Sequence, residues 1–572
     1  MARKTIDGTV SDAYLALLAD RGIDYFFGNA GTDFAPIIES FAKAASLGWK
    51  TPKPVLVPHE NLAIHMALGY YAVTGRPQVV MVHVNVGTAN ALNGLINAFK
   101  GNLPVLFTSG RTPYTETGEL AGRRNREVHW PQEMRDQGAI AREVVKWDYE
   151  LKNAETLETV VDRAINIAMS EPRGPIYLTL PREALGAKAD GFTYDSPSRH
   201  ATPTAPYPDP AAIDEAAALI AAAENPLIIT GDIGADPAAV PPFAAMAERF
   251  ALPVAQRKAK FLGLPSDHPM HLGYDSDPYL AGADVIVVAG CDVPWIPSTG
   301  RRPGPDCKVI HLGADPIYRS YPIRGYEADL AITGTLGATI RALGDALATH
   351  EKTARARIDA RRKRIAADWR KLRDGWAAAL ERVKGSSPIH PLWVSHCIDA
   401  IRGEDDIVMV ESPLAASQMH FTRPGTMIGG GAGGGLGYGL GMALGAQLAA
   451  RDRRVICTQG DGAYMYGNPV PAHYVARAES LPILTVVFNN EQWGAVRRNT
   501  RDMYPDGYAA KSNREPLTYF EPGVAYEKAV ETNGGYGERV TDPAQLPKAL
   551  ERALDAIETE KRQALLNVVC SA

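Results

Sequence analysis

Short β-rich apolar runs alternate with amphipathic helical stretches along almost the whole chain, and this alternation limits the fold more than any other feature. The runs Asp24–Phe27, Val55–Val57, Gln78–His83, Val105–Thr108 and Ile176–Leu180 read as buried strands. Ser11–Asp20, Asn61–Val73 and Leu157–Met169 read as helices between them. Such strand–helix–strand units lay successive strands parallel and cover both faces of the sheet. The pattern resumes with Pro226–Thr230, Pro253–Ala255, Ala283–Ala289 and Lys308–Leu312. It resumes again with Ile407–Val410, Val455–Thr458, Ile483–Phe488 and Ala564–Val569. The first break, Ala187–Ala212, is rich in Pro, Ser, Thr and Asp and reads as a linker. The second, Glu351–Arg373, is dense in Arg and Lys and reads as a solvated helix joining two domains. The expected fold class is therefore α/β: three α/β domains with parallel sheets, over 1–186, 205–350 and 375–572.

The chain of 572 residues allows three or four domains by length, and the grouping of strands selects three. With 60 Lys+Arg against 65 Asp+Glu, the net charge of −5 argues against a nucleic-acid partner. No apolar run is long enough to predict a membrane span. The start, Met1 to Gly8, has no apolar segment of a secretory signal. Five scattered cysteines without a C-x-x-C pair suit reduced thiols in a cytoplasm.

Two local patterns carry the chemistry. Gly460-Asp461-Gly462 follows a strand, and after 26 intervening residues another strand ends in Asn489-Asn490. A carboxylate and an amide at the carboxyl ends of neighbouring parallel strands lie where α/β folds bind ligands. With a main-chain carbonyl and phosphate oxygens they make an oxygen shell suited to Mg²⁺. The second pattern is a glycine cluster: ten of the 53 glycines fall within residues 429–445. Glycine suits a backbone that must lie against a ligand. A dinucleotide loop is the rival reading, but it needs a strand directly before the glycines, and Phe421–Thr426 is a poor one.

The Gly-Asp-Gly to Asn-Asn spacing resembles the signature of thiamine diphosphate (ThDP) enzymes. Val57-Pro58-His59-Glu60, followed by a helix, is similar to the His-Glu segment of acetolactate synthases. The glycine cluster resembles a stretch found in those enzymes and in benzoylformate decarboxylase. The resemblance implies ThDP and Mg²⁺ as cofactors. It assigns Glu60 to the aminopyrimidine ring, Leu436 to the wedge that bends the cofactor, and the Gly434 carbonyl to the ring amine. Asp461, Asn490 and the carbonyl of Gln492 become metal ligands. Gly460, Gly462, Ala463 and Ser412 (or Ser417) face the diphosphate. The bland alternative for Glu60 is a carboxylate favoured at a helix N-terminus. The three domains become pyrimidine-binding, central and diphosphate-binding, the central one holding FAD, ADP or neither. Family members place the cofactor between subunits, which implies a homo-oligomer, a dimer of dimers, with Glu60 and Asp461 from different chains.

The substrate side mixes two subfamilies. Gly28-Asn29-Ala30-Gly31-Thr32 resembles the family's Gly-Asn-Pro-Gly-Ser/Thr loop, making Thr32 a substrate-carboxylate candidate or simply a helix N-cap. His83, 23 residues after Glu60, matches a histidine offset in benzoylformate decarboxylase and suits proton transfer near neutral pH. Gln132 stands either over the thiazolium or in a surface loop. His129 and Arg123-Arg124 lie close to it in sequence. The segment Asn499–Pro516 reads as a lid or as a solvated loop. The small-molecule carbonyl substrate is then a 2-oxo acid, decarboxylated or joined to a second carbonyl. The alternatives are cleavage of a 2-hydroxyketone or 2-hydroxyacyl-CoA, a nicotinamide oxidoreductase using the glycine loop, and a paralogue without turnover.

Overall fold

The computed structural model describes residues 2–411 and 413–571. An antiparallel pair joins β1 (Ala2–Ile6) to β8 (Phe192–Ser196), so part of the expected linker is a paired strand. Between them lies a parallel sheet of β2 (Tyr25–Gly28), β3 (Lys53–Leu56), β4 (Val79–Val82), β5 (Leu106–Arg111), β6 (Asp148–Glu150) and β7 (Ile176–Pro181). Its strand order is β3-β2-β4-β5-β7-β6. The central sheet comprises β9 (Pro226–Thr230), β10 (Val254–Gln256), β11 (Val285–Ala289), β12 (Lys308–Gly313) and β13 (Leu330–Thr333), ordered β10-β9-β11-β12-β13. The last sheet has β14 (Ile407–Glu411), β15 (Met427–Gly429), β16 (Val455–Gly460), β17 (Leu484–Asn489), β18 (Tyr536–Val540) and β19 (Ala564–Val569). Its order is β15-β14-β16-β17-β19-β18. All three domains are thus α/β with parallel sheets, as expected.

The three sheets share a plan. In each, the second strand lies on one side of the first and the third on the other. The strand order therefore reverses at one point, and there the loops leaving the first and third strands diverge and open a crevice. These crevices lie after β2 and β4, after β9 and β11, and after β14 and β16.

Five helices position the site and join the domains: α1 (Glu60–Thr74), α2 (Val84–Lys100), α3 (Leu336–Val383), α4 (Gly439–Ala449) and α5 (Asp461–Tyr466). Helix α3 corrects the solvated reading of Glu351–Arg373. Ala354, Ile358, Arg361 and Ile365 recur at helical spacing and are buried, so the charged stretch has a core face. Residues 350 and 375 both fall inside this single helix.

Helices α1 and α4 bring the outer domains together. A Cβ at Gly69 would lie 2.1 Å from the Met442 carbonyl oxygen, and one at Gly445 only 2.0 Å from that of Met66. The glycines let the two helix backbones approach closely, and α1 and α4 are buried along most of their length. The first and third domains of the chain therefore meet along this seam.

Candidate active site

The crevice of the first sheet holds His83, which ends β4. Its Nδ1 lies 2.5 Å from Asp33 Oδ1, and its Nε2 lies 3.2 Å from the Gln132 side-chain amide. Asp33 is buried and was not among the expected site residues. Two glycines make room for the pair. A Cβ at Gly31 would lie 2.0 Å from His83 Nδ1, and one at Gly110 would lie 1.7 Å from Asp33 Oδ2. Val84, next in the chain, has φ of 33°, a strained conformation for a β-branched residue. The hydrogen bond and charge of Asp33 raise the His83 pKa above its ordinary value against the opposing effect of burial, and Glu60 adds to the rise. With Nδ1–H donated to Asp33, Nε2 is the nitrogen left to exchange protons. Asn85 donates to the Gln132 carbonyl at 2.8 Å and fixes that loop beside the imidazole.

Thr32 does not cap a helix; its carbonyl accepts from Arg182 at 3.2 Å, and the residue is exposed. His129 is buried and takes the Asn125 N–H on Nδ1, which removes it from the substrate side. Arg124 is engaged by Glu133 and by the Pro113 carbonyl.

Glu60 is the first residue of α1, and Asn90 Nδ2 donates to its carboxylate at 2.5 Å. Asn90, Asn93 and Asn97 form a polar stripe on α2 at helical spacing. Asn93 donates to the Leu436 carbonyl at 3.0 Å. Asn97 donates to the Gly435 carbonyl at 2.8 Å and accepts from the Gly433 and Gly435 N–H groups at 3.2 and 3.1 Å. The glycine loop is thus held by side chains of the first domain. Gly434 and Gly437 have φ of 79° and 76°, which a residue with a Cβ adopts only under strain. Leu436 is 38% exposed, an apolar side chain offered outward from a loop built around it. The sequence signal that could have revealed the stripe is N-x-x-N-x-x-x-N on an otherwise apolar helix. Asn97→Ala is expected to weaken ThDP binding about tenfold or more, since three hydrogen bonds of roughly 1 kcal/mol each are lost at once. Calorimetric titration of the cofactor checks this.

The crevice of the third sheet carries two carboxylates. Glu411, at the end of β14, accepts from the N–H groups of Gly437 and Gly439, each at 2.6 Å, and from Gln459 Nε2 at 2.6 Å. It closes the glycine loop at the start of α4. Burial outweighs these bonds and pushes its pKa up to about 7. Asp461 opens α5 and accepts from the Gly462 and Glu491 N–H groups at 2.8 and 2.7 Å. Burial raises its pKa to about 6, and it has no cationic partner among the described residues. Of the Asn-Asn pair, Asn489 is buried in the sheet and bonded to Asn567. Asn490 accepts the Gln492 N–H at 3.2 Å. The Gln492 carbonyl already accepts from Gly494 at 3.0 Å, leaving one lone pair. The Tyr526 hydroxyl is buried without a partner, and the charges of Asp461 and Glu491 help burial raise its pKa to about 12.

A buried carboxylate without a cation, beside neutral oxygen donors, fits a hard divalent ion whose remaining ligands come from a diphosphate. Gly460, Gly462 and Ala463 line the same turn. Ser412 lies outside the described residues. Ser417 opens instead on a cavity of about 590 Å³ shared with Tyr274 and Trp376. The segment expected as lid or loop folds as helices Gly494–Met503 and Tyr508–Ser512. Glu515 ties it down, accepting from Arg497 at 3.0 Å, Arg501 at 2.6 Å and Tyr519 at 2.9 Å.

Three family models match the chain. The N-terminal TPP binding domain of thiamine pyrophosphate enzymes covers residues 8–140, their central domain 213–343, and their C-terminal TPP binding domain 411–568. The chain belongs to the thiamine diphosphate-dependent enzyme family. The sulfoacetaldehyde acetyltransferase of Alcaligenes xylosoxydans xylosoxydans is 26% identical over all of this chain and 95% of its own length. Acetolactate synthase isozyme 3 large subunit of Escherichia coli (strain K12) is 26% identical over 95% of this chain and 92% of its own. In fold, the chain resembles benzoylformate decarboxylase from Polynucleobacter necessarius, with a TM-score of 0.78 at 21% identity and 99% of both chains covered. No helix among the described residues is long and apolar enough to cross a membrane.

In the central domain Asp232 follows β9 and Asp292 follows β11, so two carboxylates stand at the crevice of that sheet. The turn after β9 is also filled. A Cβ at Gly234 would lie 2.2 Å from the Leu262 carbonyl oxygen, and the Gly231 carbonyl accepts from Lys260 N–H at 3.2 Å.

Proposed function

We propose that this protein is a ThDP- and Mg²⁺-dependent enzyme that breaks the bond next to the carbonyl of a 2-oxo acid, releasing CO₂. The observation that carries the reading is the Asp33–His83–Gln132 arrangement in the crevice beside Glu60. Bound ThDP supplies a nucleophilic carbon and an electron sink. Glu60 would hold the aminopyrimidine through a charge-assisted hydrogen bond. Leu436 would be the wedge against the bent cofactor and the Gly434 carbonyl the acceptor for the ring amine, while Asp461, Asn490 and the Gln492 carbonyl would hold the metal. His83 exchanges a proton through Nε2 at the carbon that loses CO₂, and Gln132 and Thr32 orient the substrate carboxylate.

Carboligation is the second reading, and the acetolactate synthase and acetyltransferase names of the relatives favour it. Product analysis separates the two. Pyruvate and benzoylformate are each expected to give aldehyde and CO₂. A predominant hydroxyketo acid or acetyl-transfer product would replace decarboxylation with carbon–carbon joining. The homo-oligomer and the cytoplasmic location belong to the same proposal.

A further inference from the structure

The central crevice is filled by the chain's own segment 257–264, and this segment leads directly to the cofactor loop. Lys260 stands at the junction. Its Nζ lies 2.9 Å from Asp232 Oδ2, with about a fifth of each side chain exposed. Asp292 adds a second negative charge beside the ammonium, and its own oxygen is taken by Tyr321 OH at 2.8 Å. Arg324 engages the Asp292 carbonyl at 2.9 Å rather than competing for Asp232. The second Asp232 oxygen is buried without a hydrogen-bond partner, so Lys260 is the group that neutralises this carboxylate.

The main chain of the same residue reaches the other way. The Lys260 carbonyl accepts the N–H of Gly429 at 2.6 Å, and Phe261 bridges Ile428 in antiparallel register. β15 is the edge strand of the third sheet, so residues 260–261 add a short rung to its free edge. Gly429 is the last residue of β15, and the glycine loop starts there. On its other side Asn97 and Asn93 hold the loop. One end is therefore fixed from the first domain and the other from the central domain.

We propose that the Asp232–Lys260 ion pair is a latch by which the central domain sets where the glycine loop begins, and so how tightly the third domain holds ThDP. A crevice that holds a nucleotide in other α/β folds here holds the chain itself. Both residues are positioning residues: neither touches the cofactor, and Lys260 acts through its own carbonyl on Gly429.

The test uses the full-length protein without substrate, so it is independent of which reaction the enzyme performs. Lys260→Met and Asp232→Asn are each expected to weaken ThDP·Mg²⁺ binding about tenfold, the size of effect seen when a supporting partner behind a ligand-holding residue is removed. The double variant should be no worse than either single one, because the two residues act as one unit. Amide hydrogen exchange in the apoprotein should rise over 428–435 more than over the central sheet. Lys260→Arg keeps the pair and should retain affinity, which separates loss of the latch from loss of the fold. Unchanged affinity in the single variants, additive losses in the double variant, or exchange rising uniformly through the central domain would overturn the proposal. A wild-type protein that binds no ThDP would instead overturn the cofactor assignment.

Discussion

Glu60→Gln is expected to slow exchange of the C2 proton of bound ThDP by about 10²–10⁴-fold, the usual worth of a positioned acid–base group. The substitution keeps the side chain's size and its contact with Asn90 but removes the charge. Cofactor affinity should fall far less than exchange does. The proposed metal and diphosphate site is in the other crevice, at Asp461 and the turn after it, where nothing changes. Proton exchange followed by NMR, with calorimetry on the same samples, measures both quantities. Exchange in the wild type no faster than in Glu60→Gln would show a protein that binds ThDP without activating it.

The second large effect concerns the histidine. His83→Ala should lower kcat by about 10²–10³-fold, within the range for losing a general acid–base group. Asp33→Asn should lower it less and also move the pH dependence. Asp33 is the main cause of the raised His83 pKa, so its neutral analogue returns the imidazole toward the ordinary value of about 6.5. The basic limb of the pH–rate profile then shifts to lower pH. Stability follows the same sign. A folded-state pKa raised above the unfolded value stabilises the protein below that unfolded value. The contribution disappears as pH rises through the folded-state pKa, and Asp33→Asn should flatten that dependence. NMR titration of the His83 ring reads the pKa directly, without turnover. If the ring pKa falls but kcat holds, the pair exists but His83 carries no catalytic proton.

The range of each interaction decides how legible it is in the sequence. Gly460-Asp461-Gly462 and Asn489-Asn490 were legible because each group is local and sits at a strand end of ordinary pattern. The buried strands were found within a few residues of their ends. The edge strands Asp148–Glu150, Leu330–Thr333, Met427–Gly429 and Tyr536–Val540 were not, because a strand this short or half exposed has too little periodicity to read. Met427–Gly429 also supplies the strand whose absence was held against a dinucleotide loop. A missing strand therefore no longer counts against that rival, and the grip of Asn93 and Asn97 on the glycines does so instead. Asp33, Asn97 and Glu411 act on residues 50, 338 and 28 positions away, and no local pattern announces such pairings. The charged face of Glu351–Arg373 masked the buried one because Arg361 itself lies in the core.

Helix α3 has a mechanical consequence. Its 48 residues rise about 70 Å, running unbroken from the central sheet toward the third domain. An uninterrupted rod of that length without proline has no hinge, so the central and third domains are braced against swinging apart. Movement is then left to small parts. Residues 494–519 stand on a few arginine–carboxylate staples at Glu515, and Tyr508 and Leu517 within them lie almost wholly in solvent. The stiff frame thus leaves a stapled surface segment as the part free to yield.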